Sequence, residues 1–215
     1  MTQENDVYGL ILAGGKARRM GGGDKALMKL AGRPLLQHAI ERARPQVRDL
    51  IINANGDGAR FDAFGLPVVP DVIDGYAGPL AGVLTGLEWV AENAPDCSWL
   101  ATFATDAPFF PDDMVERMLE CIEREKADMA CAIRNGRTHP VFALWPLALK
   151  DDLRRAMVDE DMRKVDQWTS RYHIVHVEFA DATRGMDPFF NINVAEQLAE
   201  AEHFINGGHD DAAAL

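Results

Sequence analysis

Short runs of apolar residues recur along the chain, and several of them end in Gly, Pro, Asn or Asp. The first run, Val7–Leu12, is mostly apolar and is closed by Ala13, Gly14 and Gly15. A continuous run of this kind is typical of a strand that is buried on both faces, as in a parallel sheet. The same reasoning predicts strands at residues 7–12, 49–55, 66–70, 98–104, 127–133, 141–145 and 172–179.

Between these runs, apolar residues recur at the spacing of an amphipathic helix. Pro34 stands at the start of one such segment, and Asp112 and Asp113 stand in the first turn of another, where the helix dipole favours acidic groups. The predicted helices cover residues 35–43, 78–93, 111–122, 147–157, 162–170 and 194–204. Strands that alternate with helices predict an α/β chain with a mostly parallel central sheet and helices on both faces.

The organisation of the chain is simple. It has no internal repeat, and no linker is rich enough in Gly, Ser or Pro to separate two domains. We therefore predict a single domain over residues 1–205. Residues 206–215 are rich in Gly, Asp and Ala, and we predict a disordered tail there.

Composition narrows the class of protein. Asp and Glu outnumber Lys and Arg by 34 to 22, for a formal net charge of −12. This charge argues against nucleic acid and against anionic membrane surfaces as partners. Three cysteines without a C-x-x-C pair argue against a disulfide framework and a cysteine zinc site. No apolar run reaches the ~18 residues of a membrane helix, and we expect a soluble cytoplasmic protein.

The charge is unevenly distributed, and its positive part follows the first strand. Nine Lys or Arg stand between Gly14 and Arg48 against two acidic residues. The first part of this stretch, residues 14–25, holds five glycines and four of the cations. Glycines let backbone N–H groups approach an anion, and the cations neutralise it. The segment therefore predicts a site for a polyphosphate.

Two familiar phosphate-binding loops do not fit this segment. A P-loop requires Ser or Thr after its lysine, and here Ala26 follows Lys25. The pattern Gly21-x-Gly23-x-x-Ala26 meets the loose dinucleotide signature, but it lies well past the strand end at Leu12. The second strand also lacks the acidic residue that would contact a ribose. The glycine-rich segment is therefore interpreted neither as a P-loop nor as a dinucleotide-binding loop.

Polar residues at the ends of later strands supply the other side of such a site. Asn53 stands in the last residues of a predicted strand, and Asp71 and Asp106 follow two others. Singly, each is as well explained by a turn or a helix cap. In an open α/β sheet, however, ligands bind beyond the carboxyl ends of the strands, which places the three residues near the glycine-rich segment. An aspartate there can hold Mg²⁺ together with phosphate oxygens.

Seven short motifs follow one another along the chain: Leu12-Ala-Gly-Gly, Arg19-Met-Gly, Asp24-Lys25, Gly78-Pro-Leu-Ala-Gly82, Thr105-Asp-Ala-Pro108, His139-Pro140 and Asn191-Ile-Asn193. Taken together, these motifs resemble those of the nucleotidyltransferases, and in particular the molybdenum cofactor guanylyltransferase family. The resemblance extends over residues 7–204, and one departure from the family is an extra glycine before Asp24. It implies a Rossmann-like fold with a nucleotide-binding half at about residues 7–110 and an acceptor-binding half at about residues 111–205.

The resemblance also implies a reaction and its residues. GMP would pass from GTP to the phosphate of molybdenum cofactor, molybdopterin, with release of pyrophosphate. Lys25 would bind phosphates, and Asp106 would hold Mg²⁺. The residues implied to contact the nucleotide are Leu12, Ala13, Gly14, Gly15, Lys25, Asn53, Asp71 and Asp106. Those on the acceptor side are Asn191 and Asn193, and His139 is interpreted either as a substrate-positioning residue or as part of a loop.

Elementary chemistry supports the same catalytic group. The attacking phosphate oxygen is already ionised at neutral pH, so no protein base is needed. The barrier is the repulsion and alignment of two anions, which cations and backbone N–H groups lower. We therefore expect Arg19 and Lys25 to neutralise the developing pyrophosphate charge and Asp106 to fix the metal.

Two other functions remain open at this point. One is a nucleotidyltransferase of the same fold that uses CTP or a sugar phosphate, although cytidylyl relatives typically have Leu-Ala-Ala-Gly where this chain has Gly14. The other is a non-catalytic carrier of molybdenum cofactor, against which a metal-binding Asp106 argues. The expected partners are GTP, molybdopterin, and the proteins that deliver the cofactor or accept it, with no nucleic acid and no membrane. The expected oligomeric state is a monomer.

Overall fold

The computed structural model describes residues 6–14, 24–73, 75, 78–180 and 185–207, and every structural statement below refers to these residues. The strands are β1 (Val7–Leu12), β2 (Lys29–Leu30), β3 (Arg33–Pro34), β4 (Leu50–Asn53), β5 (Val68–Val69), β6 (Trp99–Ala104), β7 (Met129–Arg134), β8 (Arg137–Pro146) and β9 (Ile174–Glu178). The α-helices are α1 (Leu35–Ala43), α2 (Pro79–Asn93), α3 (Met114–Glu125), α4 (Lys150–Asp159), α5 (Val165–Thr169) and α6 (Ala195–Ile205).

The described residues form one seven-stranded sheet in the order β5-β4-β1-β6-β8-β7-β9. Within it β8 runs antiparallel to its neighbours β6 and β7, and every other pairing is parallel. The chain moves from β1 to β4 and β5 on one side and then crosses to β6 on the other side. Ligands of doubly wound folds bind at such a reversal, outside the carboxyl ends of the strands.

Helices cover both faces of the sheet, which confirms the predicted α/β class. On one face, α1 and α3 bury apolar residues such as Leu36 and Met118 in one cluster that also contains Ile11 of β1. On the other face, α2, α4 and α5 bury residues that include Leu84 and Trp168. Because both faces are covered, the central strands read as continuous apolar runs in the sequence.

A further apolar cluster joins the small β2–β3 hairpin to α6. It contains Leu30, Ile192 and Ala201, all fully buried. This hairpin was not predicted, because each of its strands is only two residues long and carries no alternation. Its turn consists of Ala31 and Gly32, which both have positive φ, at 49° and 79°.

The other differences from the predicted elements are small. The β8 strand begins at Arg137 rather than near residue 141, because Asn135 and Gly136 adopt positive φ and turn the chain tightly after β7. Most of the predicted tail lies outside the described residues, and the division into two functional halves stays a prediction. No helix in the described part of the chain is long and apolar enough to cross a membrane.

Candidate active site

The site lies where three neighbouring strands end. Leu12, the last residue of β1, pairs with Asn53 of β4 on one side and with Ala104 of β6 on the other. The Ala13 amide donates to the Asn53 carbonyl at 2.9 Å, and the Thr105 hydroxyl donates to the Leu12 carbonyl at 3.3 Å. These hydrogen bonds fix the edge of the sheet on which the predicted nucleotide-binding residues stand.

Lys25 is the centre of this edge. Asp24 accepts a hydrogen bond from the Ala26 amide at 3.0 Å and so caps the short turn Lys25–Leu27. The Lys25 side chain extends into the protein and is only 9% exposed. Its ammonium group donates to Asp106 Oδ2 at 2.7 Å and to Asn193 Oδ1 at 2.5 Å.

The contact with Asn193 brings two distant parts of the chain together. The Ile192 amide donates to the backbone carbonyl of Asp106 at 2.7 Å, which holds the segment before α6 against the end of β6. The backbone N–H of Asn193 donates to Gln197 Oε1 at 2.7 Å. A residue predicted for the acceptor side therefore lies beside the residue predicted for the metal.

The donor set fits a Mg²⁺ ion that is bound together with phosphates. The oxygens facing the Lys25 ammonium come from the Asp106 carboxylate and the Asn193 amide, and both kinds of oxygen are ligands of hard cations. Among the described residues, no cluster of three or more His, Cys, Asp or Glu could hold a metal by itself. A site of this kind needs further oxygens from a substrate, as Mg²⁺ sites in phosphoryl chemistry commonly do.

Asn53 and Asp71 form a second polar group on the β4 side. The Asn53 amide donates to Asp71 Oδ1 at 2.9 Å, and the Asn55 amide donates to Asp71 Oδ2 at 2.7 Å. The Asp71 backbone N–H returns a hydrogen bond to Asn55 Oδ1 at 2.8 Å. The structure thus brings together the two residues predicted to contact the nucleoside and adds Asn55 to them.

Arg60 connects this group with the turn of Lys25, and the sequence analysis missed it. Its Nε donates to Asp24 Oδ2 at 2.7 Å, and its Nη2 donates to the Asn55 carbonyl at 2.9 Å. Arg60 lies on the 3₁₀ segment Gly58–Phe64, which was not predicted either. The only local signal is Asp57, whose side chain caps that segment by accepting from the Ala59 amide.

Helix α2 approaches the site closely at Gly82. A Cβ atom at this position would lie 2.5 Å from Asn53 Oδ1 and 2.6 Å from Leu12 Cδ2. Both distances are too short for real contacts, so any larger residue here would have to displace the Asn53 and Leu12 side chains. The glycine that closes the Gly78–Gly82 motif therefore lets the first turn of α2 pack against the nucleotide edge.

Gly14 is different, because a Cβ atom there would meet nothing within 4 Å in the described part of the chain. Gly14 is exposed and follows the buried Ala13 at the end of β1. Of the other residues predicted to act here, Gly15 and Arg19 lie outside the described residues.

His139 lies on the acceptor side predicted from the sequence. Its ring stacks on Phe189 at 4.4 Å between centroids, and the Asn191 amide donates to the Phe189 carbonyl at 3.2 Å. His139 is 7% exposed, and within the described residues its Nε2 atom has no hydrogen-bond partner. Burial lowers the pKa of His139 below its ordinary value, against an opposing effect of Asp187, and so favours the neutral ring.

Comparison with known sequences and structures shows that this chain is a nucleotidyltransferase. The described chain resembles the crystal structure of molybdopterin-guanine dinucleotide biosynthesis protein A from Archaeoglobus fulgidus, with a TM-score of 0.72 and 21% identity. That alignment covers 93% of this chain and 98% of the other, and at this identity it supports the fold.

Sequence comparison identifies the family. Residues 9–175 match the model of the MobA-like NTP transferase domain, and the chain belongs to this family. A relative from Bradyrhizobium sp. (strain ORS 278), named molybdenum cofactor guanylyltransferase, is 54% identical and aligns over 91% of this chain and 92% of its own. A relative of the same name from Rhodopseudomonas palustris (strain BisB5) is 52% identical over 90% and 91%. The chain thus has a nucleotidyl-transfer role in molybdenum cofactor biosynthesis.

Proposed function

We propose that this chain transfers GMP from GTP to the terminal phosphate of molybdopterin, with Mg²⁺ and with release of pyrophosphate. An oxygen of the pterin phosphate forms the new bond to the α-phosphorus of GTP. The bond from that phosphorus to the bridging oxygen of the β-phosphate breaks, and pyrophosphate leaves with the electron pair. The product is molybdopterin guanine dinucleotide.

The observation that carries this proposal is the group of Lys25, Asp106 and Asn193 at the carboxyl edge of the sheet. A buried ammonium group beside a carboxylate offers a cation for the phosphates and an oxygen ligand for a metal at one place. A carrier that only binds the finished cofactor would need neither. The choice of guanine and of molybdopterin comes from the names of the relatives and from the Leu12-Ala-Gly-Gly motif.

The proposed roles are those that the sequence motifs imply. Lys25, together with Arg19, neutralises the charge that develops on the leaving pyrophosphate. Asn53 and Asp71 contact the nucleoside, and the backbone of the motif Leu12-Ala13-Gly14-Gly15 contacts the nucleotide. On the acceptor side, the proposed contacts are His139, Asn191 and Asn193.

The proposed chemistry requires no general base from the protein, because the attacking phosphate oxygen is already ionised. The Asp106 carboxylate and the Asn193 amide oxygen would hold Mg²⁺, which supplies charge neutralisation at the phosphates. The remaining contribution of the chain is alignment: the ends of β1, β4 and β6 hold the nucleotide, and the segment around Asn191 holds the acceptor beside it.

The proposal also names partners. GTP and molybdopterin are the substrates, and the proteins that deliver molybdenum cofactor or accept the product are the expected macromolecular partners. The proposed oligomeric state is a monomer.

The proposed function is tested by comparing nucleotides. Pyrophosphate release is measured with GTP, ATP or CTP, each with and without purified molybdopterin and Mg²⁺. We expect release with GTP only, and only when the pterin is present. The Asp106→Ala variant should lose turnover, whereas the exposed Asp62→Ala serves as a matched control that keeps it. Equal turnover of CTP would overturn the assignment of guanine, and a fully active Asp106→Ala would overturn the role of Asp106.

A further inference from the structure

Arg60 occupies a firmly anchored position between β4 and β5. Its guanidinium group lies over the ring of Phe61, 4.3 Å from the centroid, and Phe61 is fully buried in the core. The segment that carries both residues begins at the cap of Asp57. A cation stacked on a buried ring gains a fixed orientation.

All three nitrogens of the Arg60 guanidinium group donate hydrogen bonds. Among the described residues it donates from Nε to Asp24 Oδ2, from Nη2 to the Asn55 carbonyl and from Nη1 to the Asp57 carbonyl. The ion pair with Asp24 is partly buried, with side-chain exposures of 26% for Arg60 and 17% for Asp24. A lysine ammonium is a single point charge and cannot reproduce this pattern.

The acceptors of Arg60 belong to two different parts of the site. Asp24 uses its other oxygen to cap the turn on which Lys25 stands. Asn55 uses its side chain to hold Asp71 on the nucleoside side. One guanidinium group therefore ties the phosphate-facing turn to the polar group at the end of β4.

We propose that Arg60 is a positioning residue for nucleotidyl transfer. Acting through Asp24, it fixes the turn that aims the Lys25 ammonium at the nucleotide phosphates, and it keeps that turn in register with the nucleoside contacts. This inference rests on the proposed function. It assigns to Arg60 no contact with the substrate, so its effect on nucleotide binding must pass through Lys25.

The test is a double-mutant cycle on nucleotide binding. The affinity for GTP with Mg²⁺ is measured by displacement of a fluorescent guanine nucleotide for wild type, Arg60→Met, Lys25→Met and the double variant. Loss of a charge-assisted bond predicts that Arg60→Met weakens GTP binding about 30-fold in the wild-type background. In the Lys25→Met background the same change should weaken binding less than about threefold, because the group it positions is gone.

Arg44→Met is the matched control. Arg44 is exposed, and its only ion pair among the described residues is a long one, with 3.8 Å between Arg44 Nη1 and Asp49 Oδ1. This variant should bind GTP within about twofold of wild type. If Arg60→Met fails to fold, Asp24→Asn tests the same link, since asparagine can still cap the turn but offers no charge to Arg60. It should show the same dependence on Lys25.

Two results would overturn the role of Arg60. One is that Arg60→Met weakens GTP binding equally in the wild-type and Lys25→Met backgrounds, because Arg60 would then act independently of Lys25. The other is a wild-type affinity in Arg60→Met. Inorganic tripolyphosphate serves as a second probe that carries no base. If wild type binds it but not GTP, the proposed nucleotide is wrong, and the cycle run on tripolyphosphate still decides the role of Arg60.

Discussion

Replacing Lys25 by methionine isolates the contribution of its ammonium group. Methionine keeps an unbranched stem of similar length in a site where the lysine side chain is 9% exposed. The change removes the hydrogen bonds to Asp106 at 2.7 Å and to Asn193 at 2.5 Å. The Asp106 side chain is 29% exposed, so water can solvate the carboxylate that loses its partner.

These contacts set the size of the expected effect. Removing one preorganised donor from a developing anion commonly costs about 3 kcal/mol, which is on the order of 10² to 10³ in turnover. The folded state loses less, because the pair is partly hydrated, and we expect about 1 kcal/mol. For a chain of this length, that corresponds to roughly 2–4 °C in the unfolding midpoint.

Turnover is measured as pyrophosphate release from saturating GTP with molybdopterin, and stability as the thermal unfolding midpoint. The control is Lys29→Met, four residues further along, where the lysine is exposed on β2. We expect the control to retain wild-type turnover. A loss below about tenfold in Lys25→Met, or an equal loss in Lys29→Met, would refute the argument that the buried ammonium group acts on the phosphates.

Three further predictions concern other parts of the site. Gly82→Ala places a Cβ atom 2.5 Å from Asn53 Oδ1, so it should cost about 1–3 kcal/mol in stability and raise the KM for GTP. Gly58→Ala, with its nearest contact at 3.5 Å, is the control, and equal behaviour of both variants would contradict the close approach. Gly14→Ala places a Cβ atom that meets no described residue within 4 Å, so it should fold normally yet lower the ratio of GTP to CTP turnover about fivefold if this position faces the base; an unchanged ratio would remove Gly14 from base selection. Burial lowers the pKa of His139 below its ordinary 6.5, so the unfolded chain takes up the proton first and stability falls as pH drops below about 6.5. His139→Asn should therefore lose less stability than wild type between pH 7.5 and 5.5 in urea titrations, and parallel losses would exclude His139 as a source of this dependence.

The fold was largely predictable because its central strands are buried on both faces. An apolar run such as Val7–Leu12 has few alternatives to a buried strand, and β1 has the predicted bounds. The start of β8 was missed although the signal was present, since Asn135-Gly136 is a typical hairpin turn. The β2–β3 hairpin and the 3₁₀ segment Gly58–Phe64 are too short for periodicity to report them.

The sequence predicted those residues of the site that stand at the ends of strands. Lys25 and Asp106 were expected in one site, and the structure places Lys25 Nζ 2.7 Å from Asp106 Oδ2. The contact between Lys25 and Asn193 spans 168 positions and depends on a backbone bond from Ile192 to Asp106. No local pattern encodes such a long-range approach. Arg60 was missed for the same reason, because its partners become neighbours only after the chain has folded.

The transfer itself is tested most directly by following the phosphorus atoms of GTP. The chain is incubated with molybdopterin, Mg²⁺ and GTP labelled with ³²P at either the α- or the γ-phosphate, and the pterin product is separated from pyrophosphate. We expect the α-label in the pterin product and the γ-label in pyrophosphate. Nucleotidyl transfer to the cofactor would be contradicted if the γ-label were found on the pterin. It would also be contradicted if the α-label were found only in GTP and free GMP and not in the pterin product.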